Sequence, residues 1–158
     1  VFDNWYVHDG FARNDTLYLA HILDGFFSLV DITDKSSPQL IAKQNTPNNF
    51  THSVWPSEKG DYVFTTDEVA SAYIASYDIS DLTSIKEVDR TQHSPGQGVI
   101  PHNPYVKGDF LITSYYVDGI TIHDVTDPEN IILVGQYDTY LIEDKGFHGS
   151  WGVYPYFS

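Results

Sequence analysis

Residues 101–128 read PHNPYVKGDFLITSYYVDGITIHDVTDP, and the punctuation of this phrase decides the fold. After His102 comes a short apolar segment, Tyr105 and Val106, then the turn KGD, whose Gly and Asp tolerate positive φ. FLITSYY follows, rich in β-branched and aromatic residues. A DG turn breaks it, and GITIHDV then runs into the turn DVTDP. A fourth strand is read over IILVGQYD, residues 131–138. Four short antiparallel strands joined by tight turns make one blade of a β-propeller, and no segment of helical period competes with that reading.

The phrase recurs. Residues 7–34 read VHDGFARNDTLYLAHILDGFFSLVDITD, and residues 51–81 read THSVWPSEKGDYVFTTDEVASAYIASYDISD. A further copy opens at 147 with FHGSWGVYPYFS, and the chain stops inside it. The leading histidines, His8, His52, His102 and His148, are 44, 50 and 46 residues apart, while the closing aspartates Asp31, Asp78 and Asp124 are 47 and 46 apart. Two independent markers at nearly constant spacing identify a repeat whose period is that of propeller blades. The expected fold is therefore all-β, a propeller of four-stranded antiparallel blades. The units lie near 7–50, 51–100 and 101–146, with a partial blade at 147–158, all parts of one domain. A closed propeller uses about 4 to 8 blades. Because the chain begins without Met and ends within a unit, the expected partner is the rest of the same propeller, or another chain that completes it. The second unit lacks the DG turn and the proline after its DISD, so its local turn geometry is expected to differ.

Composition narrows the partners. Against 8 basic residues stand 22 acidic ones, a formal charge of -14 that repels nucleic-acid phosphates and anionic membrane surfaces. No run reaches the roughly 18 apolar residues of a spanning helix, so direct membrane insertion is not expected. The absence of Cys excludes thiolate metal sites and disulfides. Nucleophile elbow, phosphate loop, dinucleotide fingerprint and HExxH are all missing. The paired aspartates of DITD, DISD and DVTD are read as Asx turns in preference to a calcium site. Sequons stand at Asn14 and Asn49.

SLVDITDKSSPQLI and TIHDVTDPENIILVGQYD resemble the repeat of the LVIVD-repeat propellers. THSVWPSEKGDYVFTTDE and residues 101–128 look like members of the secreted bacterial group called choice-of-anchor B proteins. That resemblance implies an exported propeller, extracellular or at the cell surface, of bacteria such as the Bacteroidetes. A more distant likeness to the selenium-binding and methanethiol oxidase propellers, which also use histidines, implies the same fold.

In a propeller the first strand of each blade lines the central channel, so residues at one repeat position form a ring at one height. His8, His52, His102 and His148 would form such a ring, and neutral imidazoles from several blades are ligands for one transition metal ion, Zn, Cu or Fe. Asp9, Asp67 and Glu68 are close enough in sequence to orient them. A scaffolding role for the same histidines, each satisfying both ring nitrogens, stands beside this reading. Trp55, Tyr105 and Trp151 are candidate ligand-binding aromatics of the channel, as is His93 in the Gly- and Pro-containing loop TQHSPGQG; His21 and His123 read as packing residues. Two functions follow. One is an extracellular or surface module that binds a small-molecule ligand or a surface protein or serves as a component of a surface assembly; the other is a metal-dependent, oxidoreductase-like enzyme with a histidine-ligated metal in the channel.

Overall fold

The computed structural model describes residues 4–142 and 144–156. Twelve strands form three four-stranded antiparallel sheets in simple meander order, with no helix among the described residues. Blade 1 holds β1 (Asp9–Arg13), β2 (Thr16–His21), β3 (Phe26–Asp31) and β4 (Gln39–Asn45). Blade 2 holds β5 (Thr51–Pro56), β6 (Tyr62–Asp67), β7 (Ile74–Asp78) and β8 (Lys86–Thr91). Blade 3 holds β9 (Pro104–Lys107), β10 (Phe110–Ser114), β11 (Ile120–Asp124) and β12 (Ile132–Tyr137).

Turn chemistry produces these meanders. Asn14 and Asp15, at φ 50° and 56°, form the two-residue hairpin between β1 and β2, the mirror-image turn whose twist matches that of the strands. The DG turn before β11 needs its glycine: Gly119 has φ 77°, and a Cβ there would lie 2.2 Å from the Tyr137 carbonyl oxygen. After each third strand an aspartate caps the turn. Asp31, Asp78 and Asp124 accept the backbone N–H two residues on at 2.7, 2.8 and 2.9 Å, which is Asx-turn geometry without an ion. All three blades carry a bulge at the same place between the third and fourth strands, after Leu29, Ser76 and Ile122, and it twists the outer edge away from continued pairing.

The core lies between blades. One apolar cluster joins Tyr18, Phe27 and Leu29 of blade 1 to Val54, Val63 and Tyr77 of blade 2. A second joins Phe64 and Ile74 of blade 2 to Val106, Leu111 and Tyr115 of blade 3. Strand alternation explains the split, because Val63 and Phe64 are successive residues of β6 and point to opposite faces. Residues 150–156 then run alongside β9 in the same direction. The Trp151 carbonyl meets Asn103 at 2.8 Å, Lys107 Nζ donates to the Pro155 carbonyl at 2.6 Å, and Tyr156 hydroxyl donates to the Val106 carbonyl.

Asp67, at the end of β6, is fully buried and accepts hydrogen bonds from Thr46 Oγ1, the Asn48 N–H and the Phe50 N–H, at 2.5, 2.7 and 3.1 Å. It ties the blade 1 to blade 2 crossover to the end of β6. Burial raises its carboxyl pKa, against the lowering effect of these three donors. Asp67→Asn turns an amide N–H₂ toward groups that donate. It should lower stability by about 1–3 kcal/mol, read as a reduced denaturant midpoint at unchanged m-value. An unchanged midpoint would remove Asp67 as the anchor of the crossover.

Candidate metal centre

The strand ends deliver three of the four repeated histidines to one place. His8 precedes β1 and its N–H bonds the Ala20 carbonyl at 2.9 Å; His102 precedes β9 and bonds the Ser114 carbonyl likewise at 2.9 Å. His52 is the extra residue of a bulge in β5, between Thr51 and Ser53, and a bulge re-aims the side chain it carries. The ring centroids of His8 and His52 are 4.5 Å apart, and those of His52 and His102 4.0 Å apart. One face of this row meets Glu68, the first residue of the β6–β7 loop. That loop is longer than its counterparts in blades 1 and 3.

Burial and Glu68 set the electrostatics of the row. His52 Nε2 lies 3.8 Å from Glu68 Oε2 and His102 Nε2 lies 3.4 Å from Glu68 Oε1. Burial, with His102 and His8 adding to it, pushes the His52 imidazole down to about 3, so it is neutral at ordinary pH, and its buried Nδ1 has no hydrogen-bond partner. His102 Nδ1 lies 2.5 Å from the Trp151 carbonyl and 2.9 Å from the Asn103 side-chain nitrogen, and its Nε2 faces the carboxylate. Its pKa is also lowered, by burial first, while the Trp151 carbonyl, Glu68 and Asp9 pull upward. Neutral nitrogens opposite a carboxylate are what a metal ion takes up. His8, His52 and Glu68 each offer one donor atom, all within 4.8 Å of one another. Two imidazoles and a carboxylate are the ligand set of catalytic zinc and of non-haem iron sites with open positions.

Tyr116 completes the surroundings, and sequence reasoning missed it. Its hydroxyl donates to Glu68 Oε1, and its backbone sits at φ 41°, a strained value for a bulky residue. The strain is held by the bridge to Ser150, with N–H···O distances of 3.1 and 2.9 Å. The only signal in the sequence is the aromatic pair in SYYVDG, which reads equally well as core.

His148 does not join the row. The bridge between Tyr116 and Ser150 sets the register of that segment, so the Trp151 carbonyl meets His102, while His148 is exposed and stacks on Tyr140 at 6.2 Å. Trp151 contributes that carbonyl, and the residue is 63% exposed. Trp55 and Tyr105 form an aromatic layer further along the inner strands, Phe11–Trp55 at 3.9 Å and Trp55–Tyr105 at 4.7 Å, which packs blade against blade. His93 is separate, its Nε2 3.2 Å from Asp118 Oδ2. His21 bonds the Tyr6 carbonyl and Ser28, and His123 is buried. Asp9 caps its own strand through the Gly10 N–H, and Asp67 is committed to the crossover.

No family model matches the chain. No curated protein matches it either. Solved structures do. A protein from Lactobacillus plantarum superposes with TM-score 0.73 at 16% identity, over 85% of this chain and 42% of that one. A periplasmic gluconolactonase from Pseudomonas aeruginosa gives 0.71 at 12%, over 85% and 41%. A Bacteroides fragilis protein proposed to be a 6-phosphogluconolactonase gives 0.64 at 12%, over 80% and 37%. The chain spans about two fifths of the length of these structures, and at such identities the likeness establishes the fold, part of a propeller. It also corrects the resemblance to LVIVD-repeat, choice-of-anchor B proteins: the similar structures include lactonases, and no family model supports that group. The shared phrases DITD and DVTD are Asx-turn chemistry after a blade's third strand. They report blade geometry and not ancestry.

Proposed function

We propose that the chain is part of a propeller enzyme whose metal centre is built by His8, His52 and Glu68. The observation that carries this is the convergence of two imidazoles on one carboxylate, with His52 neutral and its Nδ1 unpartnered. A divalent metal bound there would supply Lewis acidity to a carbonyl group or a water molecule. Tyr116 donates its hydroxyl to Glu68 from the next blade, and His102 Nε2 lies 3.4 Å from the same carboxylate. Hydrolysis of an ester or lactone bond is the reaction class that suits an open His₂Glu site, and it accords with the lactonase names of two of the similar structures. The surface-binding reading has no comparable cluster behind it. One similar structure is periplasmic, which supports export of this protein too.

Further blades are part of the proposal. Tyr18, Phe64 and Ile112 are equivalent in register; the first two are buried by the following blade, while Ile112, Ile122, Phe110 and Val134 line an open apolar face of blade 3. A fourth blade, from the same polypeptide or another chain, is the partner that fits it.

Zinc and cobalt titrations of the intact protein test the centre. One ion per chain is expected, with affinity lowered at least about 100-fold in His52→Ala and about 10–100-fold in Tyr116→Phe, which removes only the hydroxyl on Glu68. Absence of stoichiometric binding, or equal binding by His52→Ala, refutes the metal centre.

A further inference from the structure

Glu68 lines a second feature. On the loop side of the histidine row, Phe50, Val69, Ala70, Ile100 and Phe147 wall a hollow of about 520 Å³, within the range of small-molecule sites. Its lining is apolar apart from Glu68 and Lys145, and Lys145 is the one basic side chain among the described residues that line it. The larger open face on blade 3 belongs to blade packing, and the hollow around Phe11 and Trp55 holds none of the donor residues. Glu68 is the member of the centre that lines this hollow, and the aromatic layer of Phe11, Trp55 and Tyr105 packs the inner strands in the other direction.

We propose that this hollow binds the substrate, and that the substrate is a small apolar carboxylate, an alkyl or aryl acid derivative whose anionic group pairs with Lys145 while its body lies against Phe50, Ile100 and Phe147. The identification rests on the metal centre proposed above for its chemistry, but the binding itself depends on the apolar walls and one cation. A polyhydroxylated acid would lose its hydration against these walls without hydrogen-bonding partners in return, so it is the disfavoured ligand. Lys145 is the one cation of a lining whose one carboxylate, Glu68, is engaged by the Tyr116 hydroxyl and faces the histidines, which leaves the ammonium to an anion with an apolar body.

The test uses 3-phenylpropionate, 3-phenylpropan-1-ol and D-gluconate as probes on the intact protein, by calorimetry or ligand-observed NMR, with and without Zn²⁺. 3-Phenylpropionate is expected to bind at least about tenfold tighter than gluconate. Ala70→Asp, on an exposed loop position, should weaken it about tenfold, and Lys145→Met should erase the preference for the acid over the alcohol. Gluconate binding as tightly as phenylpropionate, or indifference of both variants, overturns the proposal. Binding of Zn²⁺ without binding of phenylpropionate rejects the hollow alone. Binding of phenylpropionate, lost in the variants, without any Zn²⁺ binding upholds the hollow and rejects the metal centre.

Discussion

Acidifying the metal-free protein from pH 7 to pH 4 should unfold it cooperatively, and His123→Leu should move that transition to lower pH. His123 is 1% exposed on β11, and its Nδ1 has no hydrogen-bond partner. It stands opposite Leu111 in register, on the face of blade 3 that packs on blade 2. Burial, with His93 adding to it, pushes the imidazole down to about 4. His52 behaves the same way, held down to about 3 by burial and by His102 and His8. The unfolded chain titrates histidine near pH 6.5, so between that value and pH 4 the unfolded state binds more protons and stability falls as pH falls. Both contributions are complete above about pH 6.5 and drain away on the approach to pH 4. Each pH unit is worth about 1.4 kcal/mol per group, so the pair removes on the order of 6 kcal/mol by pH 4, comparable with the whole stability of an ordinary domain. Asp67 works in the opposite sense, because its raised pKa makes its protonation a partial relief in acid. Fluorescence of the tryptophans followed through an acid titration with chelator present reads the midpoint. An unshifted midpoint in His123→Leu would show that the buried imidazole does not drive the transition.

The blades were legible because their signals are local. Asn14 and Asp15 declare their turn through their own side-chain chemistry, Gly119 through its lack of a Cβ, and Asp31, Asp78 and Asp124 through amides two residues away. The juxtaposition of His8, His52 and His102 was legible for a related reason, since equivalent positions in successive inner strands lie at one height. What failed was anything set by long-range register. His148 has the right spacing, but the Tyr116–Ser150 bridge swings the chain so that a backbone carbonyl takes its place, and a carbonyl leaves no mark in a sequence. Tyr116 reaches Glu68 only from a left-handed backbone conformation that a residue 34 positions later holds in place. Asp67 and Glu68 are neighbours in sequence with separate tasks, one buried in the crossover and one facing the histidines. Only the end of strand β6 between them separates those roles.

Phe64→Ala should be the most destabilising single truncation at the interface between blades 2 and 3, costing about 3–5 kcal/mol. The ring is fully buried in the cluster with Val106, Leu111 and Tyr115, and it lies opposite Trp55 on β5 and Ser76 on β7. Its removal leaves a cavity between two sheets whose strands are fixed by their own hydrogen bonds, so collapse around the gap is limited and most of the transfer and cavity cost is felt. Phe64→Leu, which keeps much of the volume, should cost under about 1.5 kcal/mol, and Leu23→Ala, at a turn residue 74% exposed, should stay within about 0.5 kcal/mol. Urea unfolding of the three variants orders them. If Phe64→Ala fell with Leu23→Ala, the second cluster would not be what joins the blades. The same interface sets the spacing of His52 from His102 and brings Tyr116 and His102 onto Glu68, because those contacts cross from blade 2 to blade 3 while His8 and His52 are joined across the first cluster. A blade pair loosened at Phe64 should therefore bind zinc more weakly than wild type even below its unfolding transition, although Phe64 contacts none of the donor atoms.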